Sequence, residues 1–333
     1  MNKGLANLGN TCYMNSIIQC INHTGILSYN NDEFINNCSK TKERNDFELM
    51  IEWLKLQKLL NSKSDSKSVN PIDFYRCFAT KIVKSEYTFV GFDQNDAGEF
   101  ITILFDLLHK CLEYKIKLTI EGDIQNNLDK IAVDSINYWK KFFENKYSYL
   151  VKSTYSQLLS ITSCSKCDYS TQNHDPIQVI SLHMKPNFET LYDLLNDYTA
   201  LEILDSDNQW KCDKCLEKVN PEKKIVFWNL SDFLIIQIKR YDSKLRKIDK
   251  HIGFPTLLKM NRFCMNYQED NMSYKLCAMS VQQGSLNGGH YYAICNTGNS
   301  QNGWKVFNDT NVSDISYDDV MEQKPYCLFY KRI

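Results

Sequence analysis

The sequence predicts an α+β fold, with helices in the first third of the chain and strands in most of the remainder. Apolar residues recur at helical spacing from Tyr13 to Cys111, whereas from Tyr155 onward short runs of β-branched and aromatic residues take over. With 333 residues, 43% of them hydrophobic and 24% charged, the chain is long enough to bury a sizeable core. One large domain with sub-lobes, or two domains, would fit.

In chain order, Gly4, Asn7, Gly9 and Asn10 tolerate positive φ and bend the segment before Cys12. Tyr13, Met14, Ile17, Ile18 and Ile21 then recur as in a helix, with Thr11 placed as its N-cap. Phe47, Met50, Ile51 and Leu54 continue at helical spacing, Asn61 to Asn70 has a loop's composition, and Pro71 opens a helix carrying Phe74, Tyr75 and Phe78. The run after Phe92 places Ala97, Phe100, Ile101, Leu104, Leu107, Leu108 and Cys111 on one stripe. Ile131, Trp139, Phe142 and Phe143 mark a further helix. Strands are expected at Tyr155 to Thr162, Ile177 to Met184, Ile225 to Tyr241, Lys275 to Val281, Tyr291 to Cys295, Trp304 to Phe307 and Tyr326 to Tyr330. No internal repeat or low-complexity linker interrupts the chain.

A formal net charge of −1 gives no global electrostatic case for nucleic acid or an anionic membrane. No apolar run approaches the roughly 20 residues of a membrane span. The N-terminus lacks the apolar region of a signal peptide, so an intracellular protein, cytoplasmic or nuclear, is expected. In a reducing compartment, thirteen cysteines point to metal binding or catalysis rather than disulfides. Cys164-Ser-Lys-Cys167 and Cys212-Asp-Lys-Cys215 have the spacing that lets two thiols reach one ion. Together they would form a closed Cys₄ zinc site, structural because no position is left for water.

Cys12 lies at the expected start of a helix, where unpaired N–H groups and the helix dipole favour a thiolate nucleophile. Such a nucleophile needs a base and a group that orients the base. Among six histidines, His23 and His109 lie beside helices with apolar neighbours, and His174, His183 and His251 have no glycine clearance. His290 follows Asn287-Gly288-Gly289 and enters the strand Tyr291-Tyr292-Ala293-Ile294. The next strand runs from Trp304 into Asn308-Asp309, which puts Asn308 or Asp309 beside His290.

These residues match a family. Gly4 to Gln19 resembles the cysteine box of the ubiquitin-specific proteases, and Gly289-His290-Tyr291 through Phe307-Asn308-Asp309 resembles their histidine box. Gln94-Asn95-Asp96-Ala97-Gly98-Glu99-Phe100 is similar to the family's Gln-Gln-Asp-Ala-x-Glu-Phe motif, with Asn95 in place of the second glutamine. The two C-x-x-C pairs fall where the family has zinc-bearing fingers, Leu234 to Tyr241 resembles its Leu-Lys-Arg-Phe strand, and Tyr326 to Arg332 its closing strand.

The resemblance implies a papain-like cysteine protease fold: a helical thumb over about residues 1–115, fingers with part of the palm over 150–240, and palm with the histidine box over 241–333. It implies cleavage after the C-terminal glycine of ubiquitin, with Cys12 as nucleophile, His290 as general base and acid, and Asn308 as third member. Asp309 adds electrostatic support, and Asn7 stabilises the oxyanion with the N–H of Cys12. Asp96 and Glu99 match positions that contact the arginine-containing tail of ubiquitin, although their spacing is also that of a capping box. Gly288 and Gly289 would clear room for the Gly-Gly end of that tail. Ubiquitin or a ubiquitinated protein is the expected partner of a monomeric catalytic core without targeting domains. A protease for a ubiquitin-like modifier needs much the same cleft, whereas a silent ubiquitin-binding scaffold would not need intact Cys12, His290, Asn308 and Asn7. A zinc-ribbon nucleic-acid binder lacks its basic surface.

Overall fold

The computed structural model describes residues 2–43, 46–85, 87, 93–242, 244, 246–265, 272–285, 288–298 and 303–333. The expected Phe92 and Asn287 lie outside them. The chain opens with β1 (Gly4–Leu5), α1 (Cys12–Thr24), α2 (Asp32–Thr41), α3 (Glu48–Leu60), β2 (Ser68–Val69), α4 (Ile72–Val83) and α5 (Ala97–Leu112). Next come β3 (Tyr114–Lys115), α6 (Asn127–Phe142), β4 (Lys146–Tyr147), α7 (Tyr149–Thr154), β5 (Ser156–Ser163), β6 (Ser170–Ile177), β7 (Val179–His183) and α8 (Leu191–Tyr198). Short β8 (Glu202–Ile203), β9 (Trp210–Lys211) and β10 (Lys218–Val219) lead to β11 (Glu222–Asn229), β12 (Phe233–Lys239) and β13 (Leu257–Lys259). The chain ends with β14 (Ser273–Ser285), β15 (Gly288–Asn296), β16 (Trp304–Asn308), β17 (Asn311–Asp314), α9 (Tyr317–Met321) and β18 (Pro325–Arg332). The expected order of helices before strands holds.

Among the described residues the main sheet runs β17-β16-β15-β14-β18-β12-β7, with β13 paired to β14. All of its pairings are antiparallel except β12 with β7. A second antiparallel sheet runs β6-β5-β11-β8, and the β9–β10 hairpin stands apart. The expected strand from Ile225 to Tyr241 is two strands in different sheets. At the break Ser231 is buried, its hydroxyl bonded to Phe233 O at 2.8 Å and to Ser156 Oγ at 3.0 Å. Those bonds satisfy a polar group that a continuous strand would have left in the core.

The sequence pattern places no element at α2, β6, α7, α8, β13, β17 or α9, and the first two show why. In α2 only Phe34, Asn37, Cys38 and Thr41 are buried, too few for a clear apolar stripe, and its start is marked by Asn31, which accepts from Phe34 N at 3.0 Å. Strand β6 is polar and mostly outward-facing, and it is held through its pairing with β5 rather than by burial.

α1 lies between the helical half and the main sheet and is buried on every side, including polar Asn15, Ser16 and Gln19. A helix enclosed all round belongs to a core, and its polar side chains must find partners. Ser16 Oγ meets Ser280 Oγ on β14 at 3.0 Å, and Gln19 donates to Lys3 O at 2.9 Å. Around the helix, Phe34, Trp53, Phe74, Phe78, Phe100 and Phe105 fill one core, each ring contributing about 1.5–3 kcal/mol by leaving water. A second core beneath the other face of the sheet gathers Leu182, Leu191, Ile236, Tyr274, Leu328 and Tyr330.

Residues near the two ends of the chain meet beside α1. Leu5 N donates to Asp309 O at 2.8 Å, and Gly4 and Leu5 pair in parallel with Ser68 and Val69. A Cβ on Gly4 would stand 2.3 Å from Asp309 O and 2.6 Å from Thr310 O. Backbone atoms cannot swing aside as a side chain can, so Gly4→Ala should lower stability by about 1–3 kcal/mol in denaturant unfolding. An unchanged midpoint would mean that this contact has slack.

Candidate active site and cysteine cluster

The turn before α1 is built around the side chain of Asn7. Its Oδ1 accepts from Gly9 N and Thr11 N, both at 3.1 Å, and from Thr11 Oγ1 at 3.2 Å. Gly9 at φ 95° and Asn10 at φ 53° supply the left-handed bend. Thr11 occupies the N-cap position, but its side chain caps no helical N–H. The hydroxyl turns back to accept from Leu8 N at 2.9 Å, holding the turn instead.

Cys12 is the first residue of α1 and is 3% exposed. The expectation that the helix start makes it a thiolate is corrected here: burial raises its pKa above the ordinary 9.0, and the nearby Asp309 carboxylate raises it further. The amides of Tyr291, Tyr13 and Cys12 itself pull the other way without prevailing. Burial and Asp309 thus oppose the helix start in setting the acidity of this thiol.

β15, which packs against α1, carries His290. His290 sits opposite Gln283 on β14, and Tyr291, the next residue, turns its amide toward the Cys12 thiol. His290 Nε2 meets Asn308 Oδ1 at 2.6 Å. An amide oxygen accepts, so Nε2 carries the proton and Nδ1 is left as the basic nitrogen.

Asp309 does not join this pair. Its backbone takes φ 50° in the β16–β17 turn, and its carboxylate points to the cysteine turn, accepting from Asn7 Nδ2 at 2.9 Å and Asn15 Nδ2 at 2.8 Å. Adjacent residues thus face different partners, the imidazole for Asn308 and the oxyanion candidate Asn7 for Asp309. The sequence left that division open.

Two cavities that share Asp96 and Lys239 make up a cleft beside β15. A narrow part of about 260 Å³ is lined by Gln94, Asp96, Gly289, Tyr291 and Tyr326, and a wider part of about 630 Å³ by Glu99, Thr102, Gln178, Ser181, Gln237 and Lys239. Gln94 grips Gly289 from both sides, donating to its O and accepting from its N, each at 3.1 Å. Gly288 pairs with Ser285 on β14.

Asp96 caps α5, accepting from Gly98 N at 2.7 Å, Glu99 N at 3.0 Å and Gln237 Nε2 at 3.1 Å, with Tyr326 OH on its other oxygen. The capping-box reading is half right, because Glu99 does not reach back to the Asp96 backbone. Glu99 stays exposed at the cleft.

The four cysteines of the two C-x-x-C pairs converge at the end of the second sheet, all sulfurs within 4.8 Å of one another. Cys164 and Cys215 stand 3.8 Å apart, and Cys167 and Cys212 3.7 Å. A disulfide would need about 2.05 Å. A tetrahedral ion with bonds of about 2.3 Å needs edges near 3.8 Å, so the set fits a structural metal bound by thiolates alone. Lys166 pairs with Glu217 and Lys214 with Asp168, each joining one knuckle to the other.

The fold thus brings the start of α1, which carries Cys12, against β15, which carries His290 bonded to Asn308. Comparison with known proteins makes this specific. The family model described as ubiquitin carboxyl-terminal hydrolase matches residues 3–330, and the chain belongs to that family. It is 31% identical over 338 residues to ubiquitin carboxyl-terminal hydrolase 2 of Bos taurus, covering 98% of this chain and 54% of that protein. With the protein of the same name from Gallus gallus it shares 33% over 338 residues, covering 98% and 92%. It thus spans about half the bovine relative's length, and 34% of that of Usp2 of Drosophila melanogaster.

Among solved structures, a SAGA DUB module of Ubp8, Sgf11, Sus1 and Sgf73 bound to monoubiquitin is similar at TM-score 0.75 and 26% identity, over 99% of this chain and 68% of that one. A module of the same four proteins bound to ubiquitin aldehyde gives 0.73 and 25%, over 99% and 69%. The α+β fold expected from the sequence is the fold of these proteins.

Two measurements probe this site. Purified protein should carry close to one metal ion per chain by elemental analysis, lost in Cys164→Ser together with thermal stability; folded, metal-free wild type would remove the metal. In His290→Ala, alkylation of Cys12 by iodoacetamide, followed by peptide mapping, should still climb above about pH 9, because burial and Asp309 keep the thiol protonated. A plateau already reached near neutral pH would contradict the raised thiol pKa.

Proposed function

We propose that the chain is a thiol-dependent deubiquitinase that hydrolyses the peptide or isopeptide bond after the C-terminal glycine of ubiquitin. The observation that carries this reading is the 2.6 Å contact of His290 with Asn308 on strands that face Cys12 at the start of α1, in a chain of this family. Ubiquitin as substrate is supported by the similar modules bound to monoubiquitin and to ubiquitin aldehyde. All thirteen cysteines are free, which suits a reducing intracellular compartment.

In this mechanism His290 Nδ1 takes the Cys12 proton as Sγ attacks the glycine carbonyl carbon. The carbonyl oxygen becomes an oxyanion, met by the second amide hydrogen of Asn7 and the N–H of Cys12. The first hydrogen of that amide is held by Asp309. His290 then returns its proton to the departing amine, leaving a thioester. Water, deprotonated by the same imidazole, releases ubiquitin and restores the thiol.

The cleft takes the extended ubiquitin tail. Gly288 and Gly289 leave room for its two glycines, and Glu99 receives an arginine. Asp96 shapes that cleft through its contacts with α5, Gln237 and Tyr326 and contributes charge to the tail from behind them. The metal of the four cysteines is zinc, favoured by an all-thiolate, closed site, and its role is structural. Residues 1–115 act as thumb, 150–240 as fingers with part of the palm, and 241–333 as the palm that bears the histidine.

Hydrolysis of a fluorogenic ubiquitin amide should vanish in Cys12→Ala and fall by about 10³-fold or more in His290→Ala; activity persisting in both would sink the assignment. Asn308→Ala should cost more than Asp309→Ala. Because Asp309 acts through Asn7, Asn7→Ala and Asp309→Ala should each lower kcat by about 10²-fold and combine with little further loss. Full additivity of the two would separate Asp309 from the oxyanion site.

A further inference from the structure

Away from the cleft, Lys3 is 3% exposed, yet its ammonium faces three neutral oxygens. It donates to Leu59 O at 3.2 Å, Ser62 Oγ at 2.5 Å and Ser64 Oγ at 2.5 Å. Among the described residues no carboxylate comes within 4.0 Å of it. The hydrogen bonds are complete, but the charge is offset only by the partial negative charge at the end of α3. A buried cation left in that state gains strongly from an anion.

The loop that covers Lys3 reads Ser62-Lys63-Ser64-Asp65-Ser66-Lys67-Ser68. Ser62 is half-buried, and its hydroxyl donates to Leu59 O at 2.9 Å. Ser66 donates to Ser68 O at 2.6 Å and does not touch Lys3, and Ser68 lies in β2. Ser64 alone of the four is both exposed and in contact with the ammonium. Lys63 and Lys67 flank it, exposed, with Asp65 as the neighbouring acid.

We propose that Ser64 is a phosphorylation site and that Lys3 is the built receptor for its phosphate. A serine kinase would transfer the γ-phosphoryl group of ATP to Ser64 Oγ. The Oγ–P bond forms, the β–γ anhydride bond breaks, and ADP and the hydroxyl proton leave. The phosphate brings a charge of about −1.5 to −2 and three acceptor oxygens to an ammonium that has no anion.

The effect reaches the cysteine turn through the backbone. Gly4 N donates to Lys67 O at 3.0 Å, Ala6 N to Val69 O at 2.9 Å, and α1 holds Lys3 O through Gln19. Phosphate on Ser64 therefore fastens the loop to the strand that leads to Asn7 and Cys12. Neither Lys3 nor Ser64 takes part in the proposed catalysis, so the phosphate site stands whether or not that reading does.

The test compares unmodified protein with protein carrying genetically encoded phosphoserine at position 64. Thermal unfolding of the modified protein should rise by about 2–4 °C, a gain that shrinks in about 1 M salt. It should persist in Lys3→Arg and disappear in Lys3→Gln. After treatment of unmodified protein with ATP and acid-directed or basic-directed serine kinases, mass spectrometry should find phosphate on Ser64 in preference to Ser66. An unchanged or lowered midpoint, an equal gain in Lys3→Gln, or a Ser64 that no kinase modifies would overturn the proposal. Equal stabilisation of unmodified protein by inorganic phosphate would also overturn it, marking a site for the free anion.

Discussion

The carboxylate of Asp309 is the contact on which the rest of the site depends. It sits in a two-residue turn between β16 and β17, in a left-handed backbone conformation that few non-glycine residues adopt. From there one oxygen holds Asn7 and the other holds Asn15, while its carbonyl binds Leu5 N. Three anchors on one residue fix the segment before Cys12 and the first turn of α1 relative to the strand that carries Asn308. The strained turn persists because these bonds over-determine it, as is common where a site must be held rigid. Burial raises the pKa of the Cys12 thiol, and the same negative charge adds to that rise. Orientation of the turn thus comes with a loss of thiol acidity.

Much of this was legible in the sequence. Helix periodicity located α1, α3, α4 and α5, because each buries a stripe that leaves a 3.6-residue trace. The four metal-site cysteines were readable because their spacing reflects the short reach of a knuckle. His290 stood out only through its glycines, and a firm choice among six histidines came from family resemblance. What could not be read was direction. Asn308 and Asp309 are neighbours of similar chemistry, and only the positive φ of the turn sends one to the imidazole and the other to Asn7. Thr11 failed as a cap for a similar reason: a nearer amide, Leu8 N, competed for its hydroxyl. The net pKa of Cys12 was also beyond reach, since a helix start lowers it and burial raises it, and burial is a property of the folded chain.

Asp96 illustrates how a residue can belong to both readings. Its spacing from Glu99 suggested either a helix cap or a carboxylate for a cationic substrate. In the folded chain both of its oxygens are engaged, by two helix amides, Gln237 and Tyr326, so it welds the helical half to β12 and β18. Glu99, one turn on, keeps its carboxylate toward the cleft. One acid thus builds the cleft wall, while the other lines it and stays exposed.

The contact between Asn7 and Asp309 also bears on the order in which the protein comes into being. The partners are 302 positions apart, and Asn15 meets the same carboxylate across 294. Contacts of such long range form late, because the chain must close a large loop before they offset its entropy. During synthesis the helical half can collapse around α1 while the strands that carry His290 and Asp309 do not yet exist. The turn before Cys12 is then unheld. The pairing of His290 with Asn308 and the hold of Asp309 on Asn7 form only when β15 to β17 have left the ribosome and docked, so the unfinished chain carries a cysteine turn that nothing yet orients.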